Sequence, residues 1–365
     1  MKQLTKVVFL SLLVLLCASC TKGNGSEPDD PVDDVVFPSN LTLSIEVQGA
    51  TDSQPNGDGS GTVSCTASAT DAVSYGFRFG DGTEIESTDG LLEYTYTQKG
   101  TNDYKVYAVA YSKTGHSITT SKEVSVYVAS PLIWSDEFDT DGSPDPSKWN
   151  YDIGTGSGGW GNGELQYYTN RSENVIQTDG NLVITARKED YAGSAYTSAR
   201  IKTQGLFSFL YGRVEVRAKL PSGVGVWPAI WMLGDNITTV GWPACGEIDI
   251  MEYWGYLPNE VSSALHTPSS YGNTTNKHVY SLPTAEEEFH VYAMEWTETQ
   301  IKFYVDDVLH YTYTPSAYNA DTWPYTGNQF LILNLAIGGN SDGGYGVDDS
   351  IFPQEFLIDY VRVYQ

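Results

Sequence analysis

Cysteine is scarce: the chain has 365 residues and four cysteines, at positions 17, 20, 65 and 245. So few, so far apart, cannot form a disulfide framework, and stability must come from packed cores, which a chain of this length can build. Basic residues are also few, 20 Lys and Arg against 46 Asp and Glu, for a formal net charge of −26. That balance excludes nucleic acid as a partner and disfavours an anionic membrane surface or a strongly sulfated polymer, while a neutral polymer remains compatible. The apolar run at residues 7–16 is too short to cross a membrane. No stretch keeps a helical period, and all nine tryptophans lie after residue 131. The length predicts two domains.

What is present begins with a basic start, Met1-Lys2-Gln3-Leu4-Thr5-Lys6, before the apolar run, which has the form of a secretory signal. The run ends in Leu16-Cys17-Ala18-Ser19-Cys20, which resembles a bacterial lipobox with Cys20 as the lipidated residue; a plain secreted protein is the alternative. This predicts a signal peptide over 1–19 and a lipoprotein at the outer membrane or cell surface, touching the membrane only through its anchor. Residues 20–40 are polar, acidic and proline-containing, a flexible tether. Residues 41–130 hold short alternating runs separated by turns, among them Leu41-Thr-Leu-Ser-Ile-Glu-Val47 and Tyr104-Lys-Val-Tyr-Ala-Val-Ala-Tyr111. They predict an immunoglobulin-like β-sandwich, with its tyrosines at alternating, core-facing positions. From residue 131 onward the pattern stays all-β, with hairpin turns expected at Asp179-Gly180 and Asp306-Asp307.

The chemistry concentrates in Gly246-Glu247-Ile248-Asp249-Ile250-Met251-Glu252-Tyr253. Alternate residues of a strand share a face, so Glu247 and Asp249 lie together while Glu252 should point the other way. One extra residue near Ile250 or Met251, a β-bulge, would return Glu252 to their face. No Lys or Arg occurs between Lys219 and Lys277 to hold all three carboxylates ionised. A solvated acidic edge is the bland alternative, but clustered carboxylates without a counter-ion raise a proton affinity toward neutrality, as a general acid requires. Two such groups flanking a glycosidic bond are the apparatus of a retaining glycoside hydrolase. With no histidine at ligand spacing beside them, a zinc site is not expected.

The run Glu247-Ile-Asp249-Ile-Met-Glu252 is accompanied by Trp160-Gly-Asn162-Gly-Glu164-Leu-Gln166-Tyr-Tyr168, Trp227-Pro-Ala-Ile-Trp231-Met, Leu333-Asn334-Leu-Ala-Ile-Gly-Gly339 and Ile358-Asp359-Tyr-Val-Arg-Val-Tyr364. In this order the motifs resemble glycoside hydrolase family 16, most closely its laminarinase branch, over residues 131–365. The resemblance implies a β-jelly-roll of two antiparallel sheets with a concave glycan cleft, and endo-acting hydrolysis with retention. It implies Glu247 as nucleophile, Glu252 as acid/base and Asp249 as the residue between them. It implies Trp231 and Trp242, with Trp227, as aromatic platforms, and Asn162, Arg200 and His266 as polar positions lining the cleft. No cofactor is expected for catalysis. A structural calcium ion is implied at Glu137, Gly180 and Asp359. Likewise Tyr75-Gly-Phe77-Arg-Phe79-Gly80-Asp81-Gly82, with Tyr94-Thr-Tyr96, resembles a PKD domain, expected to be a spacer rather than a glycan binder.

The expected protein is a monomeric, surface-anchored endo-β-1,3-glucanase acting on laminarin-type neutral glucan. Mixed-linkage β-1,3-1,4-glucan is the close alternative, and a non-catalytic glycan-binding lipoprotein or a transglycosylase the more distant ones. Cys245, two residues before Glu247, would share its face in a regular strand and line the cleft; a small buried side chain is the other reading.

Overall fold

The computed structural model describes residues 35–51, 54–340 and 343–365. The signal peptide, Cys17, Cys20 and most of the tether lie outside the described residues. Two compact units divide between Val128 and Ala129.

The first unit packs a three-stranded sheet (Ser39–Val47, Thr62–Thr70, Leu91–Thr95) on a four-stranded one (Glu84–Ser87, Ser74–Arg78, Gly100–Tyr111, Ser117–Val128). Its core is rich in tyrosine and phenylalanine. Phe79 stacks on Tyr94 at 3.9 Å and Tyr96 on Tyr104 at 3.7 Å, and Tyr75, Tyr96 and Tyr104 are buried. Alternation thus turned these tyrosines inward, as the period predicts.

The second unit is two open sheets packed face to face. A ten-stranded sheet is centred on Gln354–Tyr364 and Gly212–Lys219, antiparallel except where Gln166–Tyr168 runs parallel to Ser194–Ser198. The seven-stranded sheet runs in the order Lys277–Ser281, Glu260–His266, Glu247–Tyr253, Val226–Gly234, Gln329–Ile337, Arg200–Lys202, Asn150–Tyr151. Between them lies the main core, built from Ile248, Ile250, Met251, Tyr253, Leu333, Leu335, Trp296, Phe303 and their neighbours. Both expected hairpins form. Asp179 and Gly180 (φ 53° and 72°) join Val175–Thr178 to Asn181–Tyr191, and Asp306 and Asp307 (φ 48° and 62°) join Ile301–Val305 to Val308–Tyr313. Positive φ at both turn residues matches the twist of the strands they connect.

Candidate active site

The outer face of the seven-stranded sheet carries the site, and a register shift creates it. Trp231 lies opposite Asp249, yet the preceding Ile230 lies opposite Met251, so Ile250 is the extra residue. On the other edge of the carboxylate strand, Ala264 faces Asp249 and Ser262 faces Glu252, across the same shift. Ile250 and Met251 therefore both enter the core, and Glu252 comes back to the face of Glu247 and Asp249. The bulge leaves a carbonyl outside the regular ladder, and Ser263 Oγ donates to this Ile250 oxygen at 2.7 Å.

Each carboxylate has a distinct partner. Trp242 Nε1 donates to Glu247 Oε2 at 2.9 Å, and Trp227 Nε1 donates to Glu252 Oε1 at 3.1 Å. His266, paired across strands with Glu247, brings Nε2 to 3.2 Å from Asp249 Oδ2 and 3.5 Å from Glu247 Oε1. The Gly272 N–H donates to His266 Nδ1 at 3.0 Å, so in the neutral ring the proton resides on Nε2 and faces the carboxylates. Burial raises all three acids to about 8. Asp249 beside Glu247 pushes the latter further, and His266 and the Trp242 N–H pull it back. For Glu252, Asp249 again raises, and His266 and the Trp227 N–H lower. Three carboxylates in one largely buried recess cannot all be ionised near neutral pH, so the cluster holds protons there.

Glu247, Asp249 and His266 bring one ligand atom each within 4.8 Å of one another. His266, expected to line the cleft, is brought to the carboxylates by strand pairing, although it stands at no ligand spacing from them along the chain. The donor set still does not fit a metal. With Nδ1 accepting from Gly272, the nitrogen turned to the carboxylates carries a proton and offers no lone pair.

Around this centre, Arg200 lies between two indoles, its guanidinium carbon 5.0 Å from the Trp160 ring and 4.5 Å from the Trp231 ring, with Asp152 ion-paired at 2.9 Å. Trp231 touches no carboxylate through its N–H. It donates to Asn334 Oδ1 at 2.7 Å, Asn334 Nδ2 to Tyr168 Oη at 3.1 Å, and Tyr168 Oη to Glu164 Oε2 at 3.2 Å. Asn162 and Gln166 also donate to Glu164, at 3.2 and 2.6 Å. Asn162 and Arg200 are therefore tied to Glu164 and Asp152 rather than to the carboxylate triad. Glu164, Asn334 and Asp152 carried no assigned role in the sequence. Glu164 and Gln166, two residues apart, were the available signal for that part of the network, since such positions share a face in an extended segment, and no comparable local signal marked Asn334 or Asp152. Trp242, 46% exposed, meets Tyr271 edge-to-face at 5.4 Å and extends an aromatic surface beside Glu247.

Cys245 does not line the cleft. Cys245 keeps to the side of the sheet that carries Glu247, since Leu233, which lies opposite Glu247, is among its neighbours, but it is covered there, 1% exposed among Leu233, Phe330 and Ile332. Burial lifts its thiol to about 11. A side chain at Gly246 would meet the Tyr325 ring at 2.8 Å. Tyr325 Oη lies 3.1 Å from the carbonyl oxygens of both Glu247 and His266, fixing the two strand ends to each other.

At the proposed ion position, strands Asn181–Tyr191 and Leu132–Asp136 both pair with Gln354–Tyr364, ending at Ile358 and Val361 respectively. Asp359 falls in the interval between them, next to the Asp179-Gly180 turn and Glu137. The Glu137 side chain is held by Arg362 through two hydrogen bonds, so it offers only its backbone carbonyl, and Arg217 bonds one Asp359 oxygen.

Residues 162–360, more than half of the chain, match the sequence profile of Glycosyl hydrolases family 16. The chain belongs to this family. It is 49% identical over 246 residues to the beta-glucanase of Rhodothermus marinus, covering 64% of this chain and 85% of that one. Against glucan endo-1,3-beta-glucosidase A1 of Niallia circulans it is 41% identical over 257 residues, 64% of this chain and 38% of the relative. The crystal structure of laminarinase from Flavobacterium sp. UMI-01 superposes with TM-score 0.61 and 49% identity, covering 64% of this chain and all of that one. In this family-16 chain the matched region lies in the second unit, where the carboxylates are.

Proposed function

We propose that this family-16 glycosidase is an endo-acting β-1,3-glucanase that cleaves laminarin-type glucan by double displacement. The observation that carries the reading is the Ile250 bulge, which sets Glu247, Asp249 and Glu252 on one face of an aromatic-lined recess. Glu247, with the Trp242 N–H and the His266 proton favouring its ionised form, attacks the anomeric carbon, and the glycosidic bond breaks as Glu252 protonates the departing oxygen. Glu252, now ionised, takes a proton from water, which releases the sugar from Glu247 with retained configuration. Asp249 stands between them and tunes the proton affinity of both.

Product analysis on laminarin, barley glucan, lichenan and agarose tests the reading. Oligosaccharides of intermediate size from laminarin, formed first as the retained anomer, are expected. Preferential release from lichenan would favour mixed-linkage specificity, and no product from any of them would make the chain a binder.

Three further elements belong to the same reading. A structural calcium ion would be held by the Glu137 and Gly180 carbonyls and by Asp359; oxygen donors suit a hard cation, which would pin the strand junction there. The first unit is a PKD-like spacer, its aromatic side chains spent largely on its own core. Cys20 carries the lipid that anchors a monomeric enzyme at the cell surface.

A further inference from the structure

Behind the carboxylate strand, on the side away from the cleft, two histidines from different sheets face each other. His278 lies on Lys277–Ser281, the edge strand of the seven-stranded sheet, and His310 on Val308–Tyr313, which ends the main path of the ten-stranded one. Their Nδ1 atoms are 3.2 Å apart. Two metal–nitrogen bonds of about 2.0–2.1 Å span that distance at an angle of roughly 100°, close to tetrahedral.

The backbone aims His310 at this point. Phe303 lies opposite Tyr311 and Tyr304 opposite Leu309, so His310 is the extra residue of a second bulge, a device that redirects a side chain. Its tautomer follows from its other nitrogen. Ser263 Oγ spends its only proton on the Ile250 carbonyl, so it can only accept from His310 Nε2, 3.4 Å away. A neutral His310 therefore bears its proton on Nε2 and turns the Nδ1 lone pair toward His278. A metal-ligating histidine usually donates its other ring N–H to an oxygen acceptor, most often a carboxylate, carbonyl or water, and here the Ser263 hydroxyl oxygen takes that place. The Tyr280 and Phe303 rings flank His310, with centroids 5.2 and 6.5 Å away. His278 is exposed, leaving further coordination positions open to water. Lys277, the nearest cation in sequence, pairs with Ala264 and so lies on the opposite, cleft-side face of its strand.

We propose that His278 and His310 bind one divalent transition-metal ion, of zinc, nickel or copper type, which clasps the edges of the two sheets. The site is distinct from the carboxylate cleft and uses none of its residues.

The test is calorimetric titration of Zn²⁺ into the chelator-treated full chain, with calcium restored to the buffer. Paramagnetic resonance of the Cu²⁺-loaded protein counts the coordinated nitrogens. One saturable Zn²⁺ ion per chain, two nitrogens on Cu²⁺ and a higher Tm with Zn²⁺ are expected. His278→Ala, at an exposed position, should weaken binding by about tenfold or more, leave one nitrogen and abolish the rise in Tm. Unchanged Zn²⁺ affinity in His278→Ala would place the ion elsewhere and overturn the proposal. So would the absence of saturable binding, which would reduce the pair to an Nδ1–H···Nδ1 hydrogen bond.

Discussion

The backbone N–H of Gly272 donates to His266 Nδ1 at 3.0 Å and thereby turns the proton on Nε2 toward Glu247 and Asp249. A loop amide thus sets the polarity of the recess. Removing that proton in His266→Ala should lower kcat by about ten- to a hundredfold, the worth of a hydrogen bond to a charged group. Because His266 pulls the Glu247 pKa down, its loss should also move the acidic limb of kcat/KM to higher pH. An unmoved limb in a pH–rate profile would show that His266 only fills space.

Trp227→Phe keeps an aromatic ring but deletes the N–H that reaches Glu252. That bond favours the ionised carboxylate, so the variant should hold its proton to higher pH. The basic limb of kcat is expected to shift upward while the acidic limb stays. A downward shift would contradict Glu252 as the acid.

The two glutamates should differ in rescue. Glu247→Gln is expected to be inactive even on an aryl glucoside with an activated leaving group, yet still to bind glucan. Glu252→Gln should lose about 10²- to 10⁴-fold on laminarin but retain its first step on the activated substrate, with azide restoring turnover. Identical responses of the two variants would refute the division of roles.

Burial raises the folded-state pKa of Asp249 from an ordinary 3.8 to about 8. The stability linked to its protonation is therefore complete below about pH 4 and lost as pH rises through about 8. Asp249→Asn removes this dependence. Its Tm relative to wild type should rise by about 10–20 °C between pH 4 and pH 8, at the cost of activity. A difference independent of pH in calorimetric scans would argue against a buried proton at this residue.

Cys20→Ala should move the protein from the membrane fraction to a soluble exported one with unchanged activity on soluble glucan. Wild-type protein recovered soluble and without acyl chains, by fractionation and mass spectrometry, would remove the anchor.

The bulge was legible because three carboxylates at 247, 249 and 252 cannot share a strand face without it, and parity is a local property of sequence. The Asp179-Gly180 and Asp306-Asp307 hairpins were legible for the same local reason. What crosses between strands was not. The approach of His266 to Asp249, the relay from Trp231 through Asn334 and Tyr168 to Glu164, and the pairing of His278 with His310 depend on registers between distant segments. Alternation gives the side of the sheet on which Cys245 lies but not its burial there, because Leu233, Phe330 and Ile332 from two other strands cover the thiol.

Tyr325 makes one further demand on the chain. Its hydroxyl lies at the carbonyls of Glu247 and His266, while its ring fills the volume a side chain at Gly246 would need. The loop that carries it thus works as a gauge: only a glycine-sized residue passes beneath the ring, and only strands correctly aligned bring both oxygens to one hydroxyl. A chain with the right carboxylates but a slipped register fails this check before any substrate arrives, so the final assembly of the site is tied to correct docking of a segment some eighty residues downstream of the nucleophile position.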